Sequence, residues 1–280
     1  MKKMLKTSIK LLILLLVTGS LMTACKKDDE PAKVSVQLTD DPFPVQFLME
    51  ANVEITKIEL KNDQDDYVTV FEGSKTINVA DYTNGSTAEV SLNTVPNGTY
   101  NEVRVTIGNV SVKMTDNTVF EFNAAAGSQS EVDIEPALQV TDGQVGDLLL
   151  DLDLADSFEF SGSFIGDWIT DITQITGIAD FDADFRAVAL EKTGTVSGTV
   201  KDANGDPIAY ADVKIEYDYT GDGLDDDVTT HADANGNFKI IGLPQGVYKL
   251  KVDTENNGDV ELDNINVSVQ HNTEVNVVVQ

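Results

Sequence analysis

Val103-Arg-Val-Thr-Ile107, followed by Val110-Ser-Val-Lys-Met114, alternates apolar and polar residues with a period of two, and the fold is decided by that period. A strand turns successive side chains to opposite faces, so such a segment puts one face in a core and the other in water. The alternation recurs in Val34-x-Val36-x-Leu38, in Leu148-x-Leu150-x-Leu152-x-Leu154 and in Tyr248-x-Leu250-x-Val252. In Val53-x-Ile55-Thr56-Lys57-Ile58-x-Leu60 the phase slips by one residue, as a β-bulge requires if both halves are to face inward. Only Ile165, Trp168, Ile169, Ile172 and Ile175 sit at helical spacing. The expected fold is therefore all-β, two antiparallel β-sandwich domains with one short helix in the first. A boundary is expected near Thr193-Gly194, giving domains over 33–192 and 193–280. Without a proline- or serine-rich linker there, the two are predicted to be packed or stiffly coupled.

Charge narrows the function classes. The chain has 280 residues, with 19 basic and 48 acidic side chains and a formal net charge of −29. Such a field repels phosphate backbones and anionic headgroups, so neither nucleic-acid binding nor polybasic membrane docking is expected. One cysteine in the whole chain leaves no internal disulfide, and the fold must stand on its core.

The first 25 residues read as an address. Lys2, Lys3, Lys6 and Lys10 precede an apolar run from Leu11 to Val17, and Leu21-Met22-Thr23-Ala24 leads into Cys25. The run is far short of the ~20 apolar residues that span a bilayer, so it is read as a cleaved secretory segment. It resembles a bacterial lipoprotein signal, with Met22 where leucine is usual. The resemblance implies lipid attachment at Cys25, stable because more than one acyl chain is added. Residues 26–32 then form an acidic tether. Its Lys26-Lys-Asp-Asp-Glu30 resembles the export signal of Bacteroidetes-type surface lipoproteins, implying a place on the outer membrane, facing outward.

Further motifs carry two more resemblances. Ser197-Gly-Thr-Val-Lys-Asp-Ala-Asn-Gly-Asp-Pro-Ile208, Ala211-Asp-Val213, Thr230 to Phe238 and Gly242-Leu-Pro-Gln-Gly-Val-Tyr248 resemble a carboxypeptidase regulatory-like domain. That implies a seven-stranded, transthyretin-like sandwich serving as a non-catalytic accessory module, in a fold shared with carbohydrate-binding modules. In it Asn204-Gly205 and Asn235-Gly236 are expected to supply the positive φ of tight hairpins. The larger region resembles the bacterial domain of unknown function 4382, through Val36-Gln-Leu-Thr-Asp-Asp-Pro42, Val95 to Val105 and Leu148 to Phe158. Asp41 stands where that family would have alanine. The resemblance implies fold and compartment and no chemistry. Val95-Pro-x-Gly-x-Tyr100 echoes Leu243-Pro-x-Gly-x-Tyr248, which reads as one turn used by two sandwiches.

No catalytic residues are assigned, and the chain is not expected to be an enzyme. His231 and His271 fall amid turn residues and belong to no serine, cysteine or zinc arrangement; they read as surface histidines. Asp218-x-Thr-x-Asp222-Gly-Leu-Asp-Asp226 has the spacing of a calcium loop, with Asp218, Asp222 and Asp226 as candidate ligands. Thr229 replaces its final bidentate acid, and a solvated hairpin tip accounts for the same residues. Asp180, Asp182 and Asp184 read as one solvated strand face. Tyr217 reads as core, Tyr219 as free and Trp168 as buried, which leaves little for a sugar platform. No cofactor is implied beyond that possible Ca2+. The function expected is a binding or adhesion module for a glycan or protein, held to the membrane by lipid. The alternatives are a structural envelope or pilin-like subunit and a carbohydrate-binding accessory protein.

Overall fold

A computed structural model of the protein describes residues 31–41, 48–162, 175–217, 226–254 and 258–280. Residues 31–280 form one compact body with two separate hydrophobic cores. The first is built from β1 (Lys33–Asp41), β2 (Leu48–Asn62), β3 (Tyr67–Asn78), β4 (Ala88–Thr94), β5 (Gly98–Met114), β6 (Val119–Val140), β7 (Val145–Asp153), β8 (Phe158–Gly162), β9 (Ile175–Phe181) and β10 (Asp184–Ala189). Eight of these make one sheet in the order β3-β2-β5-β6-β10-β7-β1-β4, and β8 and β9 pair separately. The large sheet curls until its edges meet. Lys75 Nζ donates to the Glu89 and Val90 carbonyls at 2.5 and 3.2 Å, and Asn93 Nδ2 donates to the Val70 carbonyl at 3.1 Å. This closes the sandwich and blunts two exposed edges.

The second core belongs to β11 (Thr193–Asp202), β12 (Asp212–Tyr217), β13 (Asp226–His231), β14 (Asn237–Pro244), β15 (Gly246–Asp253), β16 (Val260–Val267) and β17 (Asn272–Val279). A three-stranded sheet, β14-β11-β17, faces a four-stranded one, β13-β12-β15-β16. The architecture is thus all-β, with the seven-stranded sandwich expected at the C-terminal end. Pairing is antiparallel except at β1–β7, β6–β10 and β11–β17, which run parallel.

Local chemistry accounts for the details. The phase slip in β2 is a real irregularity: its register against both neighbours shifts between Ile55 and Lys57. Val53, Ile55, Ile58 and Leu60 are thereby all fully buried. The repeated proline turn has a physical reason. Tyr100 and Tyr248 are both buried, and each hydroxyl donates to the carbonyl of the proline four residues back, Pro96 at 2.8 Å and Pro244 at 2.5 Å. A buried phenol needs a partner, and the turn presents one.

The hairpin turns differ from expectation. Gly205 and Gly236 have positive φ, whereas Asn204 and Asn235 do not. An aspartate does the rest: Asp202 Oδ1 accepts from the Asn204 and Asp206 amides, and Asp233 Oδ1 from those of Asn235 and Asn237. These are Asx-type turns, in which a short carboxylate replaces a backbone acceptor. The Val196-Ser-Gly-Thr-Val200 segment also has a steric reason. A Cβ on Gly198 would overlap the carbonyl of Val275 on β17, its partner in register.

Three readings need correction or a limit. The helix predicted over 165–175 falls mostly outside the described residues, and Ile175 opens a strand, β9. A short helix the alternation gave no hint of, α1 (Leu154–Ser157), follows β7, with the Asp153 side chain accepting from the Asp156 amide as its cap. Asp180, Asp182 and Asp184 do not share a strand face. β9 ends at Phe181 and β10 begins at Asp184, so the chain turns between them.

Candidate functional site

The outer face of β7 was expected in water, yet it lies at the junction of the two domains. Leu148, Leu150 and Leu152 point into the first core, while Leu149, on the opposite face, is also fully buried. Its register partner Val188 on β10 is buried with it. The second domain covers both: a Cβ on Gly242, which has φ +72°, would lie 2.8 Å from Leu149 Cδ2 and 3.1 Å from Val188 Cγ2. Arg186 ties the same junction together. Its Nη1 donates to the Gly242 carbonyl at 2.6 Å, and its Nη2 to Asp151 Oδ2 at 2.5 Å and the Ile241 carbonyl at 3.4 Å. Asp151 is only 8% exposed at its side chain; Arg186 serves its Oδ2, while Oδ1 is buried without a hydrogen-bond partner, so the guanidinium charge is what lets the carboxylate sit there. Asn84 adds a bond from the β3–β4 connection to the Asn237 carbonyl at 3.3 Å.

Beside this contact runs a cleft of about 680 Å3. The first domain contributes Gln37 and Thr87, and the second Thr195, Ser197, Lys239 and Gln270, with backbone and smaller groups between them. Among the described residues no carboxylate lines it, in a chain with 48 acidic side chains. The walls are braced from within: Thr87 Oγ1 donates to Gln37 Oε1 at 2.8 Å, Gln37 Nε2 to Asp147 Oδ1 at 3.3 Å, and Asn272 Nδ2 to Ser197 Oγ at 2.8 Å. What results is a hydroxyl- and amide-rich surface that also includes Lys239 and the exposed His271. Such groups offer hydrogen-bond donors and acceptors to a polar ligand.

Glu191 lies in the short 3-10 turn Leu190–Lys192 that joins the domains, and both its carboxylate oxygens are sealed from water. Burial pushes its pKa up, against the nearby Lys192 charge and backbone N–H groups that pull it down. A raised folded-state pKa favours folding below the ordinary carboxylate range, and the benefit is lost as pH rises through the raised value. Glu191→Gln is therefore expected to melt higher than the wild type at neutral pH. Thermal melts across pH should show the two curves converging in acid.

Acidic residues also fall in register across three strands. Asp41, Asp153 and Asp184 are register partners on β1, β7 and β10. The Asp184 carboxyl is pushed above its ordinary range, first by desolvation from the packing around it, although the residue as a whole is exposed, and then by Asp156 and Asp182. This row is invisible in sequence, because its members come from three distant segments. Among the described residues, no three His, Cys, Asp or Glu side chains are placed to hold a metal ion. Of the candidate calcium ligands, Asp218 and Asp222 lie outside the described residues, and Asp226 opens β13 opposite Tyr217. Cys25, Trp168 and Tyr219 also lie outside them. The two histidines part company. His271 is exposed in the turn before β17, whereas His231 ends β13 with a side chain 14% exposed, its Nε2 2.6 Å from Asp212 Oδ1.

Residues 31–165 match the family described as domain of unknown function DUF4382, and residues 195–280 match the carboxypeptidase regulatory-like domain. The two matches follow one another along the chain in the expected order. Among curated proteins it is similar to halomucin of Haloquadratum walsbyi, 27% identical over 217 residues, which is 74% of this chain and 2% of that protein. Among solved structures, a putative cell adhesion protein of Bacteroides ovatus aligns with a TM-score of 0.26 at 13% identity, covering 89% of this chain and 92% of that one. The TIE protein of Bacillus anthracis aligns with a TM-score of 0.25 at 10% identity, covering 97% of this chain and 44% of that one. The minor pilin GBS52 of Streptococcus agalactiae aligns with a TM-score of 0.24 at 10% identity, covering 88% and 94%.

Proposed function

We propose that the protein is a non-enzymatic lipoprotein of the outer membrane, facing outward, that binds a neutral polyhydroxylated ligand in the cleft between its two domains. The cleft carries this reading: both domains build it, and among the described residues its lining is free of carboxylates in a strongly acidic chain. The surrounding field turns polyanions away, while hydroxyl and amide walls offer matched donors and acceptors to a glycan. The address is supported separately, by the basic start, the short apolar run and Cys25 followed at once by Lys26-Lys-Asp-Asp-Glu30.

Two measurements test the two halves of the reading. Cys25→Ser is expected to abolish labelling with palmitate analogues and partitioning into detergent, and intact wild-type cells should lose the protein to added protease. Retained labelling overturns the lipid assignment, and protection on whole cells places the protein inward. A glycan array probed with residues 26–280 should give hits that Lys239→Ala with Gln270→Ala weakens. Hits unchanged by that pair move the ligand out of the cleft, and a protein captured where no glycan binds favours an adhesion or assembly partner.

A further inference from the structure

β11 and β17 open and close the C-terminal domain, and they lie side by side in parallel. Their register is unbroken over eight pairs, from Thr195↔Asn272 to Asp202↔Val279. Among the described residues β17 has no other strand partner. A pull at Thr193 opposed by a pull at Val279 therefore slides one strand along the other and loads all the rungs together. Two side-chain ties cross the same pair, Thr199 Oγ1 to Asn276 Oδ1 at 2.9 Å and Asn272 Nδ2 to Ser197 Oγ at 2.8 Å. Gly198 permits the close approach on which they depend.

The first domain is loaded differently. Its chain enters at Lys33, opposite Val145, and leaves at Ala189, opposite Leu148. Both points sit at the same end of β7, so tension between them opens the sheet from that end, one rung at a time. Peeling meets less resistance than shear, because each hydrogen bond breaks with its neighbours already gone.

We propose that the C-terminal domain is a mechanical clamp, and that under tension the first domain yields and extends while the clamp stays folded. As a functional property this rests on the envelope-anchored reading, since a protein fixed at one end is one that is put under load. The device would let an attached protein pay out chain during a tug without losing its outer module.

Single-molecule pulling on residues 26–280, which lack Cys25, tests it. One handle is fixed at the N-terminus and the other at a lone introduced thiol. With Gln280→Cys the clamp is sheared; with His271→Cys the same strands are unzipped from the end they share with Thr195. At ~3.4 Å per residue, the two domains should release roughly 550 Å and roughly 300 Å of chain. The expected result for Gln280→Cys is the long step first and the short step at higher force. For His271→Cys that high-force short step should disappear. Equal short-step forces in the two geometries, or a short step preceding the long one with Gln280→Cys, would overturn the clamp. Ser268→Cys, also exposed, repeats the unzipping geometry should His271→Cys fail to melt like the wild type. The outcome does not depend on cell location: protection of whole cells from protease would defeat the envelope reading and leave the force measurement standing.

Discussion

Gly198→Ala is expected to unfold the C-terminal domain. The added methyl group would occupy the position of the Val275 carbonyl, with the Phe238 ring 3.0 Å away on the other side. Neither neighbour is the free end of a flexible chain: one is backbone in a paired strand, and the other is buried in the core. β17 would have to move off β11, and it has no second strand partner among the described residues to hold it in the sheet. The cost should exceed the about 1–3 kcal/mol of ordinary overpacking, because ladder hydrogen bonds go with the displaced strand. Gly205→Ala is the contrast. Nothing lies within 4 Å of its Cβ position, but φ is +90°, so the penalty there is conformational, about 1–2 kcal/mol. Hydrogen exchange should show β11 and β17 unprotected in Gly198→Ala and intact in Gly205→Ala. A Gly198→Ala chain with wild-type protection would mean that the two strands are farther apart than described.

How much of this was legible follows from what each signal reports. Alternation reads one strand at a time, and it located the inward faces of β1, β2, β5 and β15 together with the bulge near Thr56. It names no partners, so the parallel pairing of β1 with β7 and of β11 with β17 could not be read from it. It also assumes that the second face meets water. Leu149 and Asp151 break that assumption because a separate domain covers them, and nothing in Leu148-Leu-Leu-Asp-Leu152 records a cover supplied a hundred residues later. The Pro-x-Gly-x-Tyr echo was visible, while its reason, a phenol returning to the proline carbonyl, needed coordinates. The cleft was illegible for the same cause as the acidic row: its walls come from four or more separated segments, each ordinary alone.

Arg186→Ala is expected to destabilise the protein by about 3–5 kcal/mol, the range for removing one member of a buried ion pair. The loss comes less from the missing attraction than from what remains. Asp151 would be left without its ion-pair partner at 8% side-chain exposure, and the Gly242 and Ile241 carbonyls would lose the Arg186 donor. Arg186→Lys should recover only part, because an ammonium cannot span a carboxylate and two carbonyls as the planar fork does. Asp151→Asn in the Arg186→Ala background should recover more, since it removes the stranded charge. Urea unfolding of the three variants gives the ranking, and its shape carries a second reading. With Leu149 and Val188 still covered but the polar tie gone, two transitions are expected in Arg186→Ala and a single one in the wild type. A single transition at an unchanged midpoint in Arg186→Ala would mean that the apolar contact around Gly242 couples the domains unaided.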